Sequence, residues 1–203
     1  MSGGRILVLG IGNILWADEG FGVRVVEMLD ARYEVPDSVD VLDGGTQGLY
    51  LLPYLEDAAG VLIVDAIDYG LVPGTLRVLA DGEVPAVLGA RKVSLHQTGF
   101  QEILALLQLR GRMPARLRLI GIQPERLDDY GGGLTACVAA QLEPALQLLL
   151  TLLDTEFGVH VRPRTSHARF AAPAITRETY ESGRPSAEAA CRIGDARVLA
   201  RRV

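Results

Sequence analysis

Short aliphatic runs alternate along the chain with stretches in which apolar residues recur at helical spacing. The aliphatic runs predict five strands, at residues 5–10, 39–42, 60–64, 75–79 and 116–123. Apolar residues at positions i, i+4, i+7 and i+8 predict a helix after the first strand, and they are Phe21, Val25, Met28 and Leu29. Further helices are predicted at 48–55, from 94 onward and at 135–153. This alternation indicates an α/β fold with a mostly parallel sheet covered on both faces, whose ligands bind at the carboxyl ends of the strands.

Two local signals refine the predicted helices. Ser94 and Gln97 fit a capping box at the start of the third predicted helix. Pro144 falls inside the long last helix, where it is expected to cause a kink.

The chain has 203 residues, of which 49% are hydrophobic, and this is enough for one good-sized core. The pattern fades after Val161 into a stretch rich in Arg, Ala and Pro, with few large apolar side chains. We therefore expect one domain at residues 1–160, followed by a weakly ordered tail at 161–203.

Charge is distributed unevenly between these two parts. Nine arginines and four acids give the tail a net charge of +5, and residues 1–161 carry −10. An acidic body argues against nucleic acid as a partner, because binding phosphates requires a basic face. It suits a metal ion or a basic peptide better.

Targeting signals are not evident in the sequence. No apolar run approaches the roughly 18 residues of a membrane span, and the N-terminus passes into a strand without the pattern of a secretory signal. The two cysteines, Cys137 and Cys191, form no CxxC pair. We expect a cytoplasmic protein with no membrane partner.

A Gly-rich turn, Gly10-Ile11-Gly12-Asn13, follows the first strand, and Asp43 ends the second. A dinucleotide-binding fingerprint would begin in this way, but Leu15 stands where its third glycine belongs. The next helix begins with Asp18 and Glu19, so two carboxylates lie where a pyrophosphate would bind. The glycines are therefore interpreted as a tight turn, and nucleotide binding is disfavoured.

Three residues with metal-binding side chains are expected at the same edge of the sheet: Glu19, Asp65 and His96. Taken singly, Glu19 could be a first-turn acid, Asp65 a loop cap and His96 a surface histidine. The start of a helix disfavours imidazolium, however, so His96 should be neutral with a free lone pair. Together they form a set of two oxygens and one nitrogen for a divalent metal, with positions left open for water or substrate. Imidazole with carboxylate suits nickel, zinc or iron.

Other catalytic arrangements fit less well. The sequence contains no HExxH zinc helix and no GxSxG nucleophile elbow. Asp43, beside Gly44 and Gly45, is interpreted as an acid that supports the site or organises its loop.

These motifs, in this order, resemble the hydrogenase maturation endopeptidases of nickel-iron hydrogenases. The similarity covers about residues 5–157 and is greatest to the proteases that serve uptake hydrogenases. It rests on the segments 9–13, 18–19, 42–46, 64–66, 94–97, 121–125 and 134–144.

The resemblance implies a three-layer α/β/α sandwich around a mostly parallel, twisted central sheet. It also implies that Glu19, Asp65 and His96 are both the metal ligands and the catalytic residues. The expected partner is the large-subunit precursor of a nickel-iron hydrogenase. The nickel would arrive in that precursor, and a short C-terminal peptide would be removed from it, so that the protein activates another enzyme. We expect it to act as a monomer.

The mechanism is open at this point. The metal could polarise the scissile carbonyl and supply hydroxide, or Asp65 or Glu19 could act as general base with nickel as an orientation clamp. A function from another class is also open, namely a nickel-dependent checkpoint chaperone that binds the precursor without cutting it.

Overall fold

The structure, a computed structural model, describes residues 4–90, 95–165 and 177–182, apart from the side chains of residues 89, 90, 95–99 and 180. Five strands form one sheet in the order β3-β1-β4-β6-β5. Their bounds are β1 Arg5–Ile11, β3 Val39–Gly45, β4 Ala58–Ala66, β5 Leu76–Ala80 and β6 Arg116–Ile122. All neighbours pair in parallel except β5, which is antiparallel to β6. This confirms the predicted α/β class with a mostly parallel sheet.

Helices cover both faces of the sheet. One layer holds α1 Phe21–Arg32, α5 Ala136–Ala139 and α6 Leu142–Phe157, and the other holds a 3-10 helix at Gly48–Leu51, α2 Leu52–Glu56, α3 Glu83–Ala90 and α4 Leu95–Leu109. Side chains alternate along β4, so that Leu62 and Val64 pack against the first layer while Val61 and Ile63 pack against the second. Each layer thus closes its own half of the core, and the three-layer sandwich is confirmed.

The predicted helix at 135–153 is divided in two. It breaks at Ala140 and Gln141, between α5 and α6. Pro144 has no N–H to donate to the carbonyl of Ala140, and its ring crowds that carbonyl. The expected kink is therefore a break placed one turn before the proline. Helix α3 was not predicted.

Residues Ala136–Phe157 are long and apolar enough to cross a membrane by length and composition alone. The apolar face of this stretch packs inside the protein, where it buries Leu142, Leu146, Leu149 and Leu153 in the core.

Two short elements are described in the predicted tail. Strand β7 (Arg162–Pro163) pairs antiparallel with β2 (Tyr33–Glu34), and α7 covers Arg177–Ser182. Arg164 extends the first contact, because its side chain donates to the backbone carbonyl of Tyr33 at 3.2 Å and to Asp30 at 3.3 Å. The start of the segment thus contacts α1 and β2, and the weak order expected of residues 161–203 stays a prediction.

Candidate active site

The turn after β1 brings Glu19 to the carboxyl edge of the sheet. Gly12 has φ +133°, which favours glycine, and a Cβ there would lie 1.8 Å from the carbonyl oxygen of Glu19. The 3-10 helix Ala17–Gly20 therefore packs directly on the turn. The space over Gly12 that a pyrophosphate would need is filled by protein backbone, in keeping with the rejection of a dinucleotide site.

Asp65 lies near the end of β4, the strand beside β1. A Cβ on Gly22, three residues after Glu19, would lie 2.1 Å from the carbonyl oxygen of Val64, which immediately precedes Asp65. This close approach of helix and sheet brings Glu19 and Asp65 to the same edge. Glu19 is half-buried, and only 1% of Asp65 is exposed. Asp65 is thus buried at this edge, because a covered sheet buries both faces of its central strands.

His96 belongs to the first turn of α4. By strand alternation, Asp65 shares the face of Val61 and Ile63, which is the face that α4 covers. The backbone thus places the start of α4 on the same side of the sheet as the Asp65 side chain. The side chain of His96 and the Ser94 end of the predicted capping box lie outside the described residues. Asp65 Oδ1 accepts a hydrogen bond of 2.7 Å from the Ala66 amide.

Among the side chains that the structure describes, no three His, Cys, Asp or Glu groups lie close enough to hold a metal ion. The pair Glu19 and Asp65 fits two of the expected ligands by donor chemistry, since oxygen ligands suit a divalent cation. The assignment of Glu19, Asp65 and His96 as metal ligands stays a prediction.

Asp18, next to Glu19, has a structural role. Its side chain is fully buried, and its carboxylate accepts hydrogen bonds from the backbone amides of Glu125, Arg126 and Thr135 at 2.7–2.9 Å. The Thr135 hydroxyl adds contacts at 3.0 Å. Asp18 therefore holds the loop after β6 against the segment that carries Glu19.

A profile of the hydrogenase maturation protease family matches residues 23–152. The hydrogenase expression/formation protein HoxM of Azotobacter vinelandii is 52% identical over 200 residues, which cover 98% of this chain and 96% of HoxM. This chain belongs to the hydrogenase maturation protease family.

Solved structures agree with this assignment. The hydrogenase maturating endopeptidase HybD from Escherichia coli matches with a TM-score of 0.75 and 46% identity, over 79% of this chain and 98% of HybD. The [NiFe] hydrogenase maturation protease HybD from Thermococcus kodakarensis matches with a TM-score of 0.60 and 27% identity, over 73% of this chain and 98% of that chain. The chain is therefore a protease of the hydrogenase maturation class.

In this maturation protease, Asp43 faces away from Asp65. Its carboxylate accepts from the Gly45 amide at 2.9 Å, which organises the turn after β3 as predicted. Burial raises the pKa of Asp43, while the Gly45 amide and the Arg24 charge lower it. Glu27, which forms an ion pair with the buried Arg24 at 2.8 Å, also has a pKa raised by burial. Asp43 thus belongs with the acids beside α1.

Sequence reasoning missed two further residues at this edge, Gln123 and Tyr69. Gln123 is buried, and its Oε1 accepts from the amides of Tyr69 and Leu71 at 2.7 and 3.1 Å. Its Nε2 donates to Asp68 at 3.0 Å. The sequence signal that could have identified Gln123 was a glutamine at the end of a predicted buried strand, because a buried side-chain amide needs hydrogen-bond partners.

Proposed function

We propose that this protein is the endopeptidase that removes a short C-terminal peptide from the nickel-loaded large-subunit precursor of a nickel-iron hydrogenase. The observation that carries the proposal is that Glu19 and Asp65 both lie at the carboxyl edge of two adjacent parallel strands in a hydrogenase maturation protease. The family membership supports peptide-bond cleavage, and the acidic edge supports a metal-bearing substrate.

In the proposed reaction, Glu19, Asp65 and His96 bind the nickel that the precursor carries. The precursor's metal would be held between enzyme and substrate, which places the scissile bond against the two carboxylates. Nickel in that position supplies Lewis acidity and lowers the pKa of bound water. Asp65 or Glu19 would otherwise take the proton from the attacking water, with the metal acting as a clamp.

The partner in this proposal is the precursor alone, with no nucleic acid or membrane, and the protein acts as a cytoplasmic monomer. The acidic body supports the exclusion of nucleic acid, since residues 1–161 carry a net charge of −10.

The test compares metal-free and nickel-loaded precursor as substrates, with the protease stripped of metal beforehand. Intact mass spectrometry follows the loss of the C-terminal peptide at neutral pH. We expect rapid cleavage of the nickel-loaded form and little cleavage of the metal-free form. Equal cleavage of both would overturn the shared-metal mechanism, and a stable complex of unchanged mass would identify a checkpoint chaperone instead.

A further inference from the structure

The hydroxyl of Tyr69 is a buried polar group beside the candidate site. It has no hydrogen-bond partner within the part of the chain that the structure describes. Leaving a buried hydroxyl unpaired is destabilising, so such a group calls for an explanation.

The sheet places this hydroxyl between two charged positions. Gly121 on β6 is aligned with Asp65 on β4 and with Arg77 on β5. A Cβ on Gly121 would lie 1.9 Å from the Tyr69 oxygen, so the phenol rests on the glycine. The Arg77 guanidinium carbon lies 5.4 Å from the centre of the Tyr69 ring. The Tyr69 hydroxyl thus packs on Gly121, which is in register with Asp65 on the neighbouring strand.

The backbone around Tyr69 is fixed in this position. Gln123 accepts from the amides of Tyr69 and Leu71, and the Ile67 amide donates to the carbonyl of Ile122 at 2.9 Å. The loop is therefore tied to the end of β6 on both sides of the ring. Such anchoring keeps the hydroxyl in place.

The phenol is available as a donor. Burial and the negative charge of Asp65 raise the pKa of Tyr69 above its ordinary value of 10.0, against a lowering by Arg77. The hydroxyl consequently keeps its proton at neutral pH. A carboxylate is the strongest acceptor class for such a donor.

We propose that Tyr69 is a positioning residue for Asp65: its hydroxyl donates a hydrogen bond to the Asp65 carboxylate when that group turns to bind the substrate's metal. The inference rests on the proposed function. Ala66 already holds Oδ1 from the backbone, and the tyrosine would fix the carboxylate from the side of Gly121. Partners of this kind orient metal-binding carboxylates.

The test is Tyr69→Phe, which removes only the hydroxyl, with Tyr33→Phe as the matched control. Tyr33 is partly buried at β2, at the opposite end of α1 from Glu19. Three quantities are measured: kcat and KM for nickel-loaded precursor, the affinity of the metal-free protein for Ni²⁺ by calorimetry, and the melting temperature. We expect Tyr69→Phe to lower kcat/KM and Ni²⁺ affinity by about 10- to 100-fold. Its melting temperature should be unchanged or higher, because an unpaired buried hydroxyl is lost.

A loss of activity and Ni²⁺ affinity without a loss of thermal stability separates positioning from packing. Wild-type cleavage and Ni²⁺ affinity in Tyr69→Phe would overturn the inference, as would an activity loss that only follows a lower melting temperature. A wild-type protein that leaves nickel-loaded precursor intact would overturn the proposed function, and this inference with it.

Discussion

Asp18 and Thr135, which are 117 positions apart, are joined by three contacts at one carboxylate. The Thr135 amide donates to Asp18 Oδ1 at 2.7 Å, and the Thr135 hydroxyl lies 3.0 Å from both oxygens. These contacts connect the start of the α5 region to the turn after β1. The position of the neighbouring Glu19 therefore depends on Asp18, a residue that takes no part in the proposed chemistry.

The first prediction concerns this anchor. Asp18→Asn replaces one acceptor oxygen by an NH₂ group that faces backbone donors, so we expect unfolding to become easier by about 3 kcal/mol. Urea denaturation measures the change. Asp128→Asn, on an exposed side chain of the same loop, is the control and should change stability little. Equal stability of the two variants would show that the Asp18 bonds do not hold the loop.

The second prediction concerns the proposed site residues. Glu19→Gln, Asp65→Asn and His96→Ala should each lower precursor cleavage by at least about 100-fold while the circular dichroism spectrum is retained. Asp57→Asn is the matched control, because Asp57 is exposed and directly precedes β4, whereas Asp65 lies at its other end. Retained cleavage in any two of the three site variants would remove the metal-site hypothesis.

The third prediction concerns the turn that seats Glu19. Gly12→Ala would introduce a Cβ into the carbonyl of Glu19 at a positive φ, so we expect a loss of about 3 kcal/mol in stability together with impaired cleavage. Gly82→Ala serves as the control, since nothing lies within 4 Å of a Cβ there. Thermal unfolding and cleavage assays on both proteins check the prediction. If Gly12→Ala behaves like Gly82→Ala, the close approach is not rigid.

The fourth prediction concerns pH. Because burial raises the pKa of Asp43 in the folded protein, the folded state binds this proton more tightly than the unfolded chain. Its stabilising contribution is present below the ordinary value of 3.8 and is lost as the pH rises through the raised pKa. Asp43→Asn should therefore gain stability relative to wild type between about pH 4 and about pH 7. Urea denaturation at both pH values measures this, with Asp37→Asn, on an exposed side chain, as the matched control.

The fifth prediction concerns the end of the domain. A chain that ends at Arg164 keeps the β7 pairing and the bonds of Arg164 to Tyr33 and Asp30, so its stability should stay close to that of the full chain. A chain that ends at Val161 loses them and should be less stable by about 2 kcal/mol. Melting temperatures of the two truncated proteins check this. A large loss already in the longer protein would show that residues after Arg164 stabilise the body.

Local pattern by itself determined most of the architecture. Burying a strand requires an aliphatic run, as at β1 and β4, and burying one face of a helix requires apolar residues at helical spacing, as from Phe21 to Leu29. Both patterns can therefore be recognised without a structure. The positions of Glu19 and Asp65 at the ends of such elements then predicted a common edge, because parallel strands end together.

Only the tertiary structure decided what each polar group at that edge does. Asp18 and Glu19 are adjacent acids with the same local signal, yet Asp18 is fully buried against amides from residues 125–135. Tyr69 carries no motif, and its place over Gly121 arises from a strand that lies about fifty residues further along the chain. Hydrogen bonding and desolvation depend on neighbours distant in sequence, and those neighbours are fixed only when the sheet and its two helical layers have assembled.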